Sequence, residues 1–289
     1  MRYRDPVFRP PSEARAYLLH VTYGCSHNEC TYCAMYRTKR FEVRDEREVL
    51  EDVALAAETM PDTRRVFLLD GDALSLSTRR LERVLLALRE AFPELQRVSA
   101  YSNASSVLSK SDDELRRLAD LGLTLAYFGL ETGDDAVNEA IVKGATVAEE
   151  IEAVRRAQAN GIKASVMVLL GMGGRPRSRE HAVATGRALS AMDPRYVSCL
   201  CVTPVEGTPL FDDVASGAFE PIRPEETLDE LALILENLHV TGAVFRSNHA
   251  SNWLPLGGRL PADRERLLAA VAAAKRGDVA LRPAFRRGL

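Results

Sequence analysis

The chain has 289 residues, 46% hydrophobic and 27% charged, and a net charge of -3 from 38 basic and 41 acidic side chains. That is enough apolar chain for one large domain or two small ones, and the near balance of charge excludes a global field for nucleic acid. No apolar run approaches the roughly 20 residues that span a bilayer, residues 1–15 lack the apolar core of a signal peptide, and five cysteines, three of them clustered, make a poor disulfide framework, so the expected compartment is the cytoplasm.

In chain order, the first strand-like run is "AYLLHVTYG" (16–24), which leads straight into "YGCSHNECTYC" (23–33). A helix is predicted over 47–60, then a strand over 65–71, a helix over 78–92, a strand over 97–103 and a helix over 111–122. Next come a long strand over 123–131, a helix over 146–161 opened by Thr146 with Glu149 three residues on, a strand over 162–171 and a helix over 178–192. A strand over 195–204 and a helix over 224–240 complete six strand-then-helix units. Several strands are nearly continuous in apolar residues, as parallel strands buried on both faces are. The fold class is therefore α/β with a parallel sheet and right-handed crossovers. Periodicity leaves a doubly wound open sheet and a barrel, whole or partial, both open. After residue 240 the rhythm changes to a strand-like piece, a polar loop and a closing helix.

Cys25, Cys30 and Cys33 stand within nine positions at the end of strand one. Three thiolates can hold an iron-sulfur cluster with one iron left open. A structural zinc site needs a fourth ligand, for which His27 is placed. Spacing leaves both readings standing beside that of inert core cysteines. Position adds to it: ligands of parallel α/β folds sit at the carboxyl ends of strands. Polar or glycine-bearing loops recur at those ends, at 70–73, 101–103, 130–135, 171–174 and 203–209.

Taken in order, the cysteine motif, "LLDGDA", "YFGLETGDDAVNEAIVKGAT", "VMVLLGMGG" and "VTPVEGTPL" resemble the radical S-adenosylmethionine superfamily, in particular the branch of the elongator subunit, MiaB and NifB domains. The resemblance implies a partial (β/α)6 TIM-type barrel over residues 14–245, with a short C-terminal extension, 246–289, packed on it. It also implies a [4Fe-4S] cluster that reduces S-adenosylmethionine to methionine and a 5'-deoxyadenosyl radical. By this likeness Cys25, Cys30 and Cys33 ligate the cluster and Tyr32 lies near the adenine. Gly71, Asp72 and Ala73 occupy the place of the motif that meets the methionyl amino group. Ser102, Asn103 and Glu131 are candidates for the ribose hydroxyls or that amino group, and Leu169 and Gly171 for adenine. Lys143 is read as a helix end or as a cation for the methionyl carboxylate. An electron donor such as flavodoxin or ferredoxin and a small-molecule or other substrate are the implied partners. The departures are C-x4-C-x2-C, one residue longer than the common motif, and "DGDA" in place of the commoner Gly-Gly-Glu.

Some residues carry a plainer reading as well. Asp70 is read as a loop cap and Glu131 as a charge that needs a partner. Cys199 and Cys201 alternate on strand six and are read as core, Cys201 also as a hydrogen donor to a substrate radical. Arg246, Asn248, His249 and Asn252, in "FRSNHASNWLP", are equally substrate contacts or the stuffing of a turn. The rival to an enzyme is a non-catalytic carrier of an iron-sulfur cluster or haem on the same scaffold.

Overall fold

The structure is a computed structural model that describes residues 1–288. Eight main strands follow one another along the chain: β1 (Tyr17–His20), β2 (Arg65–Leu69), β3 (Arg97–Tyr101), β4 (Leu123–Glu131), β5 (Lys163–Leu170), β6 (Tyr196–Cys201), β7 (Ala243–Ser247) and β8 (Leu256–Leu260). Helices Glu46–Thr59, Thr78–Ala91, Asp112–Asp120, Val147–Ala159, Gly174–Met192 and Pro224–Asn237 fill the connections where the sequence places them. Their ends are chemically set. The Asp45 side chain accepts from the Arg47 and Glu48 amides, and Ser111 and Glu114 close a capping box. Thr146 and Glu149 exchange the same pair of hydrogen bonds, each donating its amide to the other's side chain.

Two compact units are distinguished. The first comprises Met1–Asn28, Met35–Phe128 and Ala153–Ala164. Its strands pair in parallel and in sequence, β1 with β2, β2 with β3 and β3 with β4. Sequential order is the winding of a barrel; in a doubly wound sheet the order reverses at a switch point. Phe67, Leu68, Leu69, Val98, Ala100 and Ala126 are fully buried, so the strands are covered on both faces.

The second unit comprises Glu29–Ala34, Gly129–Glu152 and the chain from Ser165 on. Here β5 pairs with β6 and β6 with β7, again parallel and sequential, and β8 returns antiparallel along β7. Helices Gly174–Met192 and Pro224–Asn237 pack closely at Gly186. A Cβ there would lie 2.9 Å from the Ile234 carbonyl oxygen. Among the described residues no helix is long and apolar enough to cross a membrane.

Some elements go beyond the sequence reading. Short helices occupy Ala104–Leu108, Asp135–Ala140 and Pro209–Ser216, β8 lies in a stretch read as loop, and the division expected at 245/246 falls inside β7.

Candidate functional site

In the first unit, β1 runs into the loop that carries Cys25, which is half-buried. The Gly71 amide donates to the Gly24 carbonyl at 2.9 Å, so the end of β2 lies along this loop. Gly71 must lack a side chain: a Cβ would sit 2.8 Å from Cys25 Cβ and 2.7 Å from the Tyr36 ring. Asp70, fully buried, does more than cap. It accepts from the Gly24 amide at 3.1 Å and pairs with the buried Lys39 ammonium at 2.8 Å, and His20 Nε2 lies 3.5 Å from its other oxygen. The extra residue of the cysteine motif is absorbed at Asn28. It takes the left-handed φ of 52° and donates its amide to the Tyr36 and Lys39 carbonyls.

Asp72 is the hub of this unit. Its buried carboxylate accepts from Ser26 Oγ and Ser106 Oγ, both at 2.6 Å, and from the Asn103 backbone and side-chain amides, both at 3.3 Å. Burial pushes its carboxyl above the ordinary range against the pull of those donors and of Lys110. Ala73 is buried beside it, and Ser102 donates its hydroxyl to the Asn103 carbonyl.

In the second unit, Cys30 and Cys33 are half-buried, with the Cys33 amide donating to the Cys30 carbonyl at 3.2 Å. Tyr32, between them, packs with Leu169 and Val202 against a buried group of Val137, Ile141 and Met172. The Thr31 amide donates to the Ile141 carbonyl and its carbonyl accepts from Leu210, which fixes the segment at both sides. Among the described residues no three His, Cys, Asp or Glu side chains are gathered as ligands of one metal ion.

Glu131 ends β4 with a positive φ of 62°, and its carboxylate folds back over Gly129, where a Cβ would meet Glu131 Oε1 at 2.0 Å. Burial pushes its carboxyl up, against the Lys143 ammonium and a hydrogen bond from Tyr32. Lys143 also lies 3.9 Å from Glu150, whose carboxyl burial raises to about 7. Two buried carboxyls thus share one ammonium.

At the end of β5, the Gly171 amide donates to Glu230 Oε2 at 2.6 Å and Ser178 Oγ to Glu230 Oε1 at 2.7 Å. Glu230 is fully buried, and desolvation raises its carboxyl to about 7. His181 stands 3.9 Å from it and shares a hydrogen bond of 2.8 Å with Thr132.

The tail of β6 is tied to the polar loop after β7. Asn252, 1% exposed, accepts from the Cys201 amide at 3.0 Å and donates to the Cys199 carbonyl at 2.7 Å and to Ser247 Oγ at 2.6 Å. These contacts use the amide fully, without a ligand. His249 Nδ1 is occupied by Ser251, whereas Arg246 and Asn248 are exposed. Arg282 Nη1 donates to the carbonyls of His249, Ala250 and Asn252, and the Arg287 guanidinium lies 3.7 Å over the Trp253 ring. Cys199 and Cys201 are buried; desolvation raises the Cys201 thiol to about 11 and that of Cys199 higher still.

Sequence reading missed Lys39, Ser26, Ser106 and Glu230. Glu230 lies on a helix with exposed acids at Glu225, Asp229 and Glu236, so only its burial marks it.

A family model described as the radical SAM superfamily matches residues 19–185. A biotin synthase of Syntrophotalea carbinolica is 26% identical over 235 residues, 78% of this chain and 66% of its own. Among solved structures, the radical S-adenosylmethionine methyltransferase TsrM of Kitasatospora setae aligns over 88% of this chain and 58% of its own, at 18% identity and a TM-score of 0.60. The archaeal Elp3 of Methanocaldococcus infernus aligns over 92% of this chain and 64% of its own, at 16% identity and a TM-score of 0.55. The chain spans less than two thirds of the length of the curated relatives it matches. At these identities the likeness to the solved structures is one of fold, and it agrees with a partial barrel of βα units.

Proposed function

The chain belongs to the radical SAM superfamily, and on that footing we propose that it is an enzyme that holds a [4Fe-4S] cluster on Cys25, Cys30 and Cys33 and cleaves S-adenosylmethionine reductively, acting on a small molecule or other substrate still to be identified. The observation that carries this reading is the set of three half-buried thiols within nine residues at the end of β1, inside the matched segment. Two features support the fit. The donors are soft thiolates, the ligands iron-sulfur clusters use, and Gly71, with no side chain, lets the backbone at the end of β2 lie close against Cys25. When bound, the cluster supplies the electron that splits S-adenosylmethionine into methionine and a 5'-deoxyadenosyl radical.

The protein's own residues prepare binding. In the second unit, Tyr32, Leu169, Met172 and Val202 form an apolar wall suited to an adenine face. Gly171 at its edge is fixed through its amide by Glu230, so the backbone there is set before a ligand arrives. Glu131 and Glu150, both raised by burial, share the Lys143 ammonium, and a second ammonium such as the methionyl amino group would favour their ionised forms. In the first unit, Gly71, Ala73, Ser102 and Asn103 offer backbone and polar groups for the amino or ribose end of S-adenosylmethionine, with Asp72 anchoring Asn103. Cys201, with its thiol raised to about 11, keeps its S–H at neutral pH, the form a hydrogen donor needs. Arg246 and Asn248, exposed, and His249 are the substrate contacts proposed at the rim, with a flavodoxin or ferredoxin as electron donor.

The test is anaerobic reconstitution, reduction and assay for 5'-deoxyadenosine and methionine. Iron and sulfide near four per chain, cleavage by the wild type and none by Cys30→Ala are expected. A fully loaded cluster without cleavage in the presence of candidate substrates would overturn catalysis in favour of a carrier. Cys201→Ala should release 5'-deoxyadenosine but lose product; unchanged product formation removes Cys201 from the mechanism.

A further inference from the structure

The Asn103 side chain reaches from the Asp72 hub to the first thiol. Its Nδ2 lies 3.9 Å from Cys25 Sγ, 3.1 Å from Ser26 Oγ and 3.3 Å from Asp72 Oδ2. The Ser26 hydroxyl gives its own proton to Asp72 at 2.6 Å, so its oxygen faces Asn103 as an acceptor. Three acceptors thus surround this end of the amide. The NH2 group must point at them and the amide oxygen away, because the reverse would set that oxygen against a carboxylate.

The same carboxylate also receives the Asn103 backbone amide at 3.3 Å. Asn103 is therefore held at two points by one group, which fixes the side chain in the direction of the thiol. Asp72 in turn is braced by Ser106 and by the charge of Lys110, whose ammonium donates to the carbonyls of Leu74 and Leu76. Gly71 also lies against Cys25, since a Cβ there would sit 2.8 Å from Cys25 Cβ. A carboxylate with four hydrogen bonds from protein donors has little left for the amino group of a ligand. Its role is anchorage.

We propose that Asn103, anchored by Asp72, donates a hydrogen bond to the Cys25 thiolate and thereby raises the reduction potential of the cluster, acting as a positioning residue through the ligand. The proposal rests on the reading of Cys25 as a cluster ligand. Hydrogen bonds to cluster sulfurs are among the features that set the potential of such centres. An N–H directed at a thiolate draws charge from it and so favours the reduced, more electron-rich cluster. Removing the donor makes the cluster harder to reduce.

The experiment is a redox titration of the reconstituted protein, followed by electron paramagnetic resonance, without S-adenosylmethionine so that contacts to that molecule play no part. Wild type, Asn103→Ala, Asn103→Ser and Asp72→Asn are compared. Asn103→Ala should be half-reduced at a lower potential than wild type with unchanged iron and sulfide content. Asn103→Ser, which keeps a donor, should fall between. Asp72→Asn, which loosens the anchor, should shift in the same direction as Asn103→Ala.

Coincident titrations for wild type and Asn103→Ala would overturn the proposal, and a raised KM for S-adenosylmethionine beside them would assign Asn103 to that molecule instead. Variants with native circular dichroism that assemble no cluster would also overturn it, by making the role structural. A wild-type protein that binds no iron and sulfide would defeat the parent reading, an outcome seen before any titration.

Discussion

Glu230→Gln should stabilise the protein at alkaline pH, because the fold holds this carboxylate where charge is costly. Glu230 is fully buried, and its carboxyl is raised from 4.5 to about 7, chiefly by desolvation, although Ser178 and the Gly171 amide both donate to it. Below the ordinary value folded and unfolded chains are both protonated and the residue is neutral in either. As pH climbs toward 7 the unfolded chain releases its proton first, so stability falls with rising pH through this window, and above it the whole cost stands. At about 1.4 kcal/mol per unit, the loss is on the order of 3 kcal/mol.

Glutamine keeps the local geometry: its oxygen accepts from Gly171 and its amide donates to the Ser178 hydroxyl. The variant should exceed wild type by no more than about 1 kcal/mol at pH 5 and by ~3 kcal/mol at pH 8. Urea unfolding of both proteins at pH 5, 6, 7 and 8, followed by circular dichroism, measures the difference. A gap that does not change with pH, or a variant weaker than wild type at pH 8, would refute the reasoning, since either would mean that the ionised carboxylate earns its place through hydrogen bonding.

Lys39→Met leaves Asp70 buried without its ammonium and should cost about 3–5 kcal/mol in urea unfolding, with much of the loss recovered when Asp70→Asn is added. Gly71→Ala should cost about 1–3 kcal/mol by forcing Cys25 and Tyr36 apart, and should lower the iron bound after reconstitution. Gly242→Ala, where a Cβ meets nothing within 4 Å, is the matched control and should leave both unchanged.

What the sequence makes legible is whatever repeats locally. The apolar run "RVFLLDG" gives β2, and Ser111 with Glu114 announces its helix, because periodicity and capping act over a few neighbours. β8 is hidden by its own composition: Gly257 and Gly258 are poor strand formers, yet a side chain at 258 would strike Asp263, which lies 2.9 Å from the Cβ position. The three clustered cysteines are visible at once as a motif. The Asp70 to Lys39 pair is not, since 31 residues separate the partners and only the fold brings them to 2.8 Å. Glu131 could be marked as a charge at the end of an apolar strand, but its recoil over Gly129 depends on a left-handed backbone that no local pattern announces.

The grip of Arg282 has a consequence for how this protein can change. It holds the loop after β7 through three backbone carbonyls, and every residue type supplies a carbonyl. The path of the loop is thus insured independently of the side chains at Asn248 and Ala250, which are exposed. Those positions are open to exchange while the buried amide of Asn252 keeps the frame, so the rim can be rewritten one residue at a time without remaking the scaffold beneath it.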